Sequence, residues 1–315
     1  MKRFRSQIAV FLLFVALLAV TILDVTTSQG QSQTSGKPSE NGIESRVKPT
    51  TLIRERRTGV STGTESASSN LAPAAARNVV LQMELEWELG GKPQRGWHLY
   101  TPLIQHLLKS DEDVDSDGFA AALARWQAKS GLTPTGVLDE EALYKMIADW
   151  QNMRLKEREY PEPDQLITAP PLDFYHPTRP EELRQVERQA YDAYKRMVAA
   201  AVADRSLRLA RSADGRLAPA EKYLKILSSF RTREYQEYLR RQSPNAGRAG
   251  LAINSPHFTG RALDLYVGGE PVDTTDSNRA LQIKTRVYLW LVRNAERFGF
   301  RPYFYEPWHW EYVGN

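Results

Sequence analysis

The sequence predicts an α+β protein: a C-terminal mixed domain with a small antiparallel sheet and flanking helices, preceded by a small three-helix module. Three observations lead there. Beyond residue 180, strand-like and helix-like stretches follow one another without the regular alternation that builds a parallel sheet. Before residue 150, apolar residues recur at helical spacing in three short runs. Between the two stand Pro161, Pro163, Pro170, Pro171, Pro177 and Pro180, which disfavour continuous helix and read as a semi-rigid linker over 151–180.

Taken in chain order, Lys2, Arg3 and Arg5 precede an uninterrupted apolar run from Ile8 to Val20, extended through Thr21 to Leu23, and no acidic residue appears before Asp24. That is the charged and apolar layout of an export signal. The run is slightly short for a membrane span of about 20 residues, and no small-x-small cleavage site follows it. Residues 1–25 are therefore expected to be a signal peptide or a signal anchor, and the protein to be exported. Thr26 to Arg77 is rich in Ser, Thr, Gly, Gln and Pro and contains no aromatic residue, so residues 26–77 are expected to form a disordered tether.

Regular patterning begins at residue 78. Leu81, Met83, Leu85, Trp87 and Leu89 alternate with polar residues and predict a strand, ended by Gly90 and Gly91. Helices are expected around Leu103, Leu107 and Leu108, around Phe119, Leu123 and Trp126, and around Leu143 and Ile147, with Gly131 and Gly136 punctuating the last connection. The C-terminal domain, residues 181–315, opens with a predicted helix from Glu181 to Asp204, striped by Val186, Tyr191, Tyr194, Met197, Val198 and Val202. A strand follows over Tyr223–Phe230, then a helix over Arg233–Gln242. Leu263, Leu265 and Val267 mark another strand, Arg286–Phe298 a buried helix closed by Gly299, and Trp308–Val313 a short aromatic strand.

Composition limits the chemistry. The 315 residues are 41% hydrophobic and 25% charged, an ordinary globular balance, and the net charge of +4 is too small to argue for nucleic acid. No cysteine is present, which excludes disulfides, thiolate metal sites and cysteine nucleophiles. Any metal must sit on His, Asp or Glu, and there are five histidines. Of these, His98, His106 and His176 are read as satisfied core residues.

The unusual residues concentrate in two segments, Ser255-Pro256-His257-Phe258-Thr259-Gly260-Arg261-Ala262-Leu263-Asp264 and Glu306-Pro307-Trp308-His309-Trp310. Asp264 lies mid-strand between two leucines, where a carboxylate is disfavoured unless it is paired or metal-bound. His257 can return to the same point only if the chain turns, and Gly260 permits the turn. His309 alternates with two indoles, so its ring faces away from the side they pack on. Two imidazoles and one carboxylate form a catalytic zinc set with an open position for water, and Glu306 is then free to take a proton from that water. The H-E-x-x-H helix is absent, since no two histidines stand four apart.

The pattern S-x-H-x-x-G-x-A-x-D with a late E-x-W-H resembles the VanY-type zinc D-alanyl-D-alanine carboxypeptidases, in the wider group that includes lysostaphin-like peptidases and the Hedgehog signalling domain. Ser228-Ser229-Phe230-Arg231-Thr232, followed by Gln236, resembles that family's S-x-[YF]-R-[ST] segment. The resemblance implies one zinc per chain on His257, Asp264 and His309, with Glu306 as catalytic base. It further implies that Arg231 polarises the scissile carbonyl or holds the oxyanion, and that Ser255 contacts substrate. Arg205 to Pro219 departs from the family as an insertion before the strand that delivers Arg231.

Upstream, Asp117-Gly118-Phe119, Ala124-Arg125-Trp126-Gln127, Gly131-Leu132, Gly136-Val137-Leu138-Asp139 and Leu143 resemble the three-helix peptidoglycan-binding module, with Trp126 and Thr135 as departures. Together the resemblances and the N-terminal segment lead to the expectation of a monomeric, exported wall hydrolase, periplasmic or facing the cell wall. It would act on peptidoglycan stem peptides, dock on glycan, and be tethered to the membrane at its N-terminus. An endopeptidase on the same substrate, a wall-binding protein with a structural zinc, and a metal-free hydrolase using Asp264 or Glu311 are the alternatives.

Overall fold

A computed structural model describes residues 70–242 and 252–314. The expected export signal and residues 26–69 of the expected tether lie outside the described residues; the end of that tether, from Ala72 to Arg77, is helix instead of disordered chain. Among the described residues no helix is long and apolar enough to cross a membrane.

The first helix, α1 (Ala72–Glu84), carries Pro73 in its first turn, where a missing N–H costs nothing. It occupies half of the stretch expected as strand: Leu81 and Met83 belong to α1, and β1 covers only Glu86–Leu89. The alternation misleads because Leu81 is buried while Met83 is 53% exposed, so the two do not share a face as strand residues two apart would. The alanine-rich turn upstream propagates helix through both. β1 pairs antiparallel with β2 (Lys92–Arg95) across Gly90 and Gly91, whose φ values of 59° and 78° suit the two-residue hairpin turn.

Three further helices follow as expected: α2 (Thr101–Leu108), α3 (Asp117–Lys129) and α4 (Glu140–Asn152). Ser116 and Asp139 cap the last two by accepting from Phe119 N and Ala142 N. Two buried amides knit the unit together. Asn78 donates to Gly136 O and accepts from Leu138 N, both at 2.8 Å, while Gln127 donates to Val137 O and accepts from Gly136 N. The three remaining histidines are not core residues: His98 is half-buried, and His106 and His176 are exposed.

The proline-rich stretch runs along the C-terminal domain. Its Leu166–Thr168 (β3) pairs antiparallel with Gln185–Glu187 (β4). That pairing shortens the expected helix over 181–204: α5 begins only at Arg188 and ends at Ala203, with Glu187 capping it through Ala190 N. Pro180 leads instead into a single 3-10 turn, Glu181–Leu183.

The principal sheet has the order β5-β6-β8-β7, from β5 (Ile226–Ser228), β6 (Ala262–Leu265), β7 (Phe300–Tyr303) and β8 (Glu306–Tyr312), every neighbour antiparallel. β5 is shorter than the expected 223–230 because Leu224 takes a left-handed φ of 66°. Helix α6 (Arg233–Gln242) follows β5, while α7 (Asp276–Gln282) and α8 (Arg286–Asn294) stand between β6 and β7. One sheet face carries Leu263, Leu265, Trp308 and Trp310 into the core, all buried; the alternate residues carry the polar cluster described below.

The helical unit and the sheet belong to one compact body, Ser66–Asn315, with a continuous core. Phe304, in the turn between β7 and β8, packs edge-on to Tyr100 at 5.4 Å between ring centres and stacks on Trp150 at 6.0 Å. Truncating such a buried ring costs roughly 3–5 kcal/mol. Phe304→Ala is therefore expected to lower the urea midpoint by that equivalent, and an unchanged midpoint would mean that the helical unit does not support the β7–β8 hairpin.

Candidate metal centre

Strand register brings the first two site residues together. Asp264 of β6 lies directly opposite His309 of β8, and Ser228 of β5 lies opposite Asp264 on its other side. His257 arrives from a different direction, on a 3-10 turn (Pro256–Thr259) that Ser255 caps by accepting from His257 N. Gly260 ends this turn with φ 66°, and a Cβ there would stand 2.9 Å from Glu187 N. Only glycine fits that approach, so β4 presses the turn against the sheet and sets the position of His257.

The result is a buried triad. His257, Asp264 and His309 are 3%, 2% and 3% exposed, and each offers a ligand atom within 4.8 Å of the others. Asp264 Oδ2 lies 3.3 Å from His257 Nε2, and Oδ1 lies 2.9 Å from His309 Nδ1. The far nitrogens are engaged elsewhere. His257 Nδ1–H donates to Ser229 O at 2.8 Å, which leaves the Nε2 lone pair facing Asp264. His309 Nε2–H donates to Glu311 Oε1 at 3.1 Å, which turns Nδ1 toward Asp264. Partners of this kind on the outer nitrogens orient metal-ligating imidazoles and raise their basicity.

Electrostatics follow from this packing. Burial pushes the His257 pKa down to about 4, helped by Arg231, so the ring is neutral. Burial also works against a charged His309, but the hydrogen bonds to Asp264 and Glu311 outweigh it and hold its pKa near 9. Asp264 is likewise penalised by burial, yet His257, His309 and Arg231 hold it well below the usual carboxylate range. Glu306 is different: burial dominates and lifts it to about 8. A bound cation would displace the His309 Nδ1 proton, and the two ring nitrogens aimed at Asp264 would then form, with the ionised carboxylate, a donor set of two imidazoles and one oxygen. These residues fit a divalent metal with a fourth position left open.

The remaining expected residues fall around the triad. Glu306, 7% exposed, places Oε2 3.9 Å from His309 Nδ1. Arg231 donates to Asp264 Oδ2 at 2.7 Å, to Ser228 Oγ at 2.8 Å and to Gln236 Oε1 at 3.2 Å. Ser255 is seen as the cap of the His257 turn. Glu311 enters not as an acid of a metal-free site but as the partner of His309, fully buried and pulled down to about 2 by His309 and Arg154 against the cost of burial. A carboxylate two residues beyond His309 shares its strand face, so strand period carries that signal. Nothing in the sequence announces Arg154, which reaches Glu311 from the end of the helical unit.

Residues 183–315 match the family model of VanY, D-alanyl-D-alanine carboxypeptidase. This region is a VanY-type domain. The match contains the triad, Glu306, Arg231 and Ser255, and it excludes α1–α4 and Arg154. No curated protein matches the chain. The VanY-type site is expected to bind one divalent metal per chain. His257→Ala and Asp264→Ala should each purify without it, as measured by elemental analysis after dialysis against metal-containing buffer; full metal retention in both variants would overturn the ligand assignment.

Proposed function

We propose that the protein is an exported zinc peptidase that removes the terminal D-alanine from peptidoglycan stem peptides. The observation that carries this reading is the separation of duties in the cluster. Three side chains converge as ligands, while Glu306 stands beside them and, among the described residues, its carboxylate accepts no hydrogen bond. A structural metal needs no such spare carboxylate. The charged and apolar N-terminal segment supports export, and the motif resemblance of the helical unit supports docking on wall glycan.

His257, Asp264 and His309 would hold the zinc, which when bound supplies Lewis acidity, acidifying a water and polarising a carbonyl. Glu306 accepts the proton of the attacking water and returns it to the leaving amine; its near-neutral proton affinity, set by burial, suits both directions. Arg231 has five N–H donors, of which three are engaged by Ser228, Gln236 and Asp264. The other two are assigned to the developing oxyanion of the scissile carbonyl. Ser255 fixes the His257 turn and borders the substrate.

Digestion of purified muropeptides, read by mass spectrometry, tests the bond: loss of a single terminal alanine from the pentapeptide supports the carboxypeptidase, and internal cleavage or no cleavage contradicts it. Glu306→Gln tests the base. General base catalysis contributes about 10²–10⁴-fold, so kcat is expected to fall by that factor while metal content and KM hold. A folded, metal-loaded Glu306→Gln enzyme with wild-type turnover would remove Glu306 from the chemistry.

A further inference from the structure

The residue that completes the metal centre's surroundings comes from outside the VanY-type domain. Arg154 follows α4 by two positions, and its Nε donates to Glu311 Oε1 at 3.1 Å, with Nη2 donating to the same oxygen. The other carboxylate oxygen, Oε2, accepts from Leu155 N at 3.0 Å. Glu311 is 0% exposed, so its charge is offset by Arg154 and His309 and oriented by a backbone N–H of the same segment. The Arg154 guanidinium carbon also lies over the Tyr303 ring, 4.0 Å from its centre, and that ring stands edge-on to His309 at 5.9 Å. Two contacts therefore run from one arginine to one metal ligand, one through a carboxylate and one through an aromatic ring.

We propose that Arg154 is a positioning residue for the metal centre: through Glu311 it holds the His309 ring with Nε2–H bonded outward and Nδ1 presented to the metal, so that the helical unit is part of the catalytic machinery. The proposal rests on the metal reading of the triad. Its physical basis is the cost of alternatives. Without Arg154, Glu311 is a buried carboxylate shared between one imidazole and one amide, and it recovers its solvation by turning away. That movement removes the acceptor that fixes the His309 tautomer. The loss of such an outer partner typically weakens metal affinity by about 10–100-fold. The fork geometry matters as well as the charge, since Nε and Nη2 converge on one oxygen. Lysine at this position keeps the charge, but not the two-point contact or the stack on Tyr303.

The test uses the full chain in four forms: wild type, Arg154→Met, Arg154→Lys and Glu311→Gln. Zinc affinity is measured by competition with a chelator, well below the melting temperature of each metal-free protein, so that only folded protein is compared. Arg154→Met and Glu311→Gln are expected to lose about 10–100-fold in affinity, and Arg154→Lys to recover part of that loss. In zinc-loaded wild type, the His309 Nε2–H proton should give a slowly exchanging, low-field NMR signal that shifts or vanishes in Arg154→Met. A merely structural Arg154 predicts lower melting temperatures with wild-type affinity and an unchanged proton signal, and that result would overturn the proposal. Should Arg154→Met fail to fold, Glu311→Gln and Arg154→Lys decide the question by the same two readouts. Wild-type protein that binds no zinc would instead overturn the metal reading, and the positioning role with it.

Discussion

Everything at this site depends on an ionised Asp264 in the middle of a buried sheet. A carboxylate taken out of water costs several kcal/mol unless charges and donors surround it. Here the β6–β8 register sets His309 opposite, the capped turn sets His257 above, and Arg231 closes the third side at 2.7 Å. Removing any one leaves the others with an unpaired buried charge. The cluster is therefore both the chemical centre and the condition under which β5, β6 and β8 can lie side by side with polar groups between them.

That condition extends outward in layers. Arg231 is itself held by Ser228 and Gln236, and His257 by the Ser229 carbonyl. His309 is held by Glu311, and Glu311 by Arg154 and Leu155 N. Each layer comes from a different part of the chain, so the ligand geometry is the sum of several packing decisions. The β7–β8 hairpin shows this most directly. Its turn carries Tyr303, Phe304 and Tyr305: Arg154 covers the first, Tyr100 and Trp150 receive the second, and Arg279 stacks on the third at 4.2 Å. Glu306 begins the strand that leaves this turn. The helical unit thus grips the hairpin that carries Glu306, which gives a physical reason for one continuous core where a tethered accessory module would have its own.

Much of this is legible in the sequence alone. The amphipathic runs at Leu103–Leu108, Phe119–Trp126 and Leu143–Ile147 became helices because each has a complete apolar stripe and, for the last two, a polar cap at its start. The site residues His257, Asp264, His309 and Glu306 were legible because charged and imidazole side chains inside apolar strands demand partners. The 81–89 alternation and the helical stripe beginning at Glu181 do not fix their own conformation, because neighbouring segments override the local pattern: α1 extends from a helix nucleated upstream, and Gln185–Glu187 is captured by β3.

Local composition, period and capping chemistry by themselves determined the α+β class, three of the helices in the N-terminal unit, the absence of sulfur chemistry and the concentration of polar residues in two apolar segments. Those properties reside in short stretches, and short-range sterics and burial suffice to impose them. Only the tertiary structure decided which imidazole nitrogen faces Asp264, that Glu311 bonds His309, and that the segment after α4 brings Arg154 to Glu311. Glu311 and Arg154 are 157 residues apart in sequence, and no local rule relates them. Their meeting is fixed by the Phe304 plug and by the electrostatic cost of leaving a fully buried carboxylate without a counter-charge.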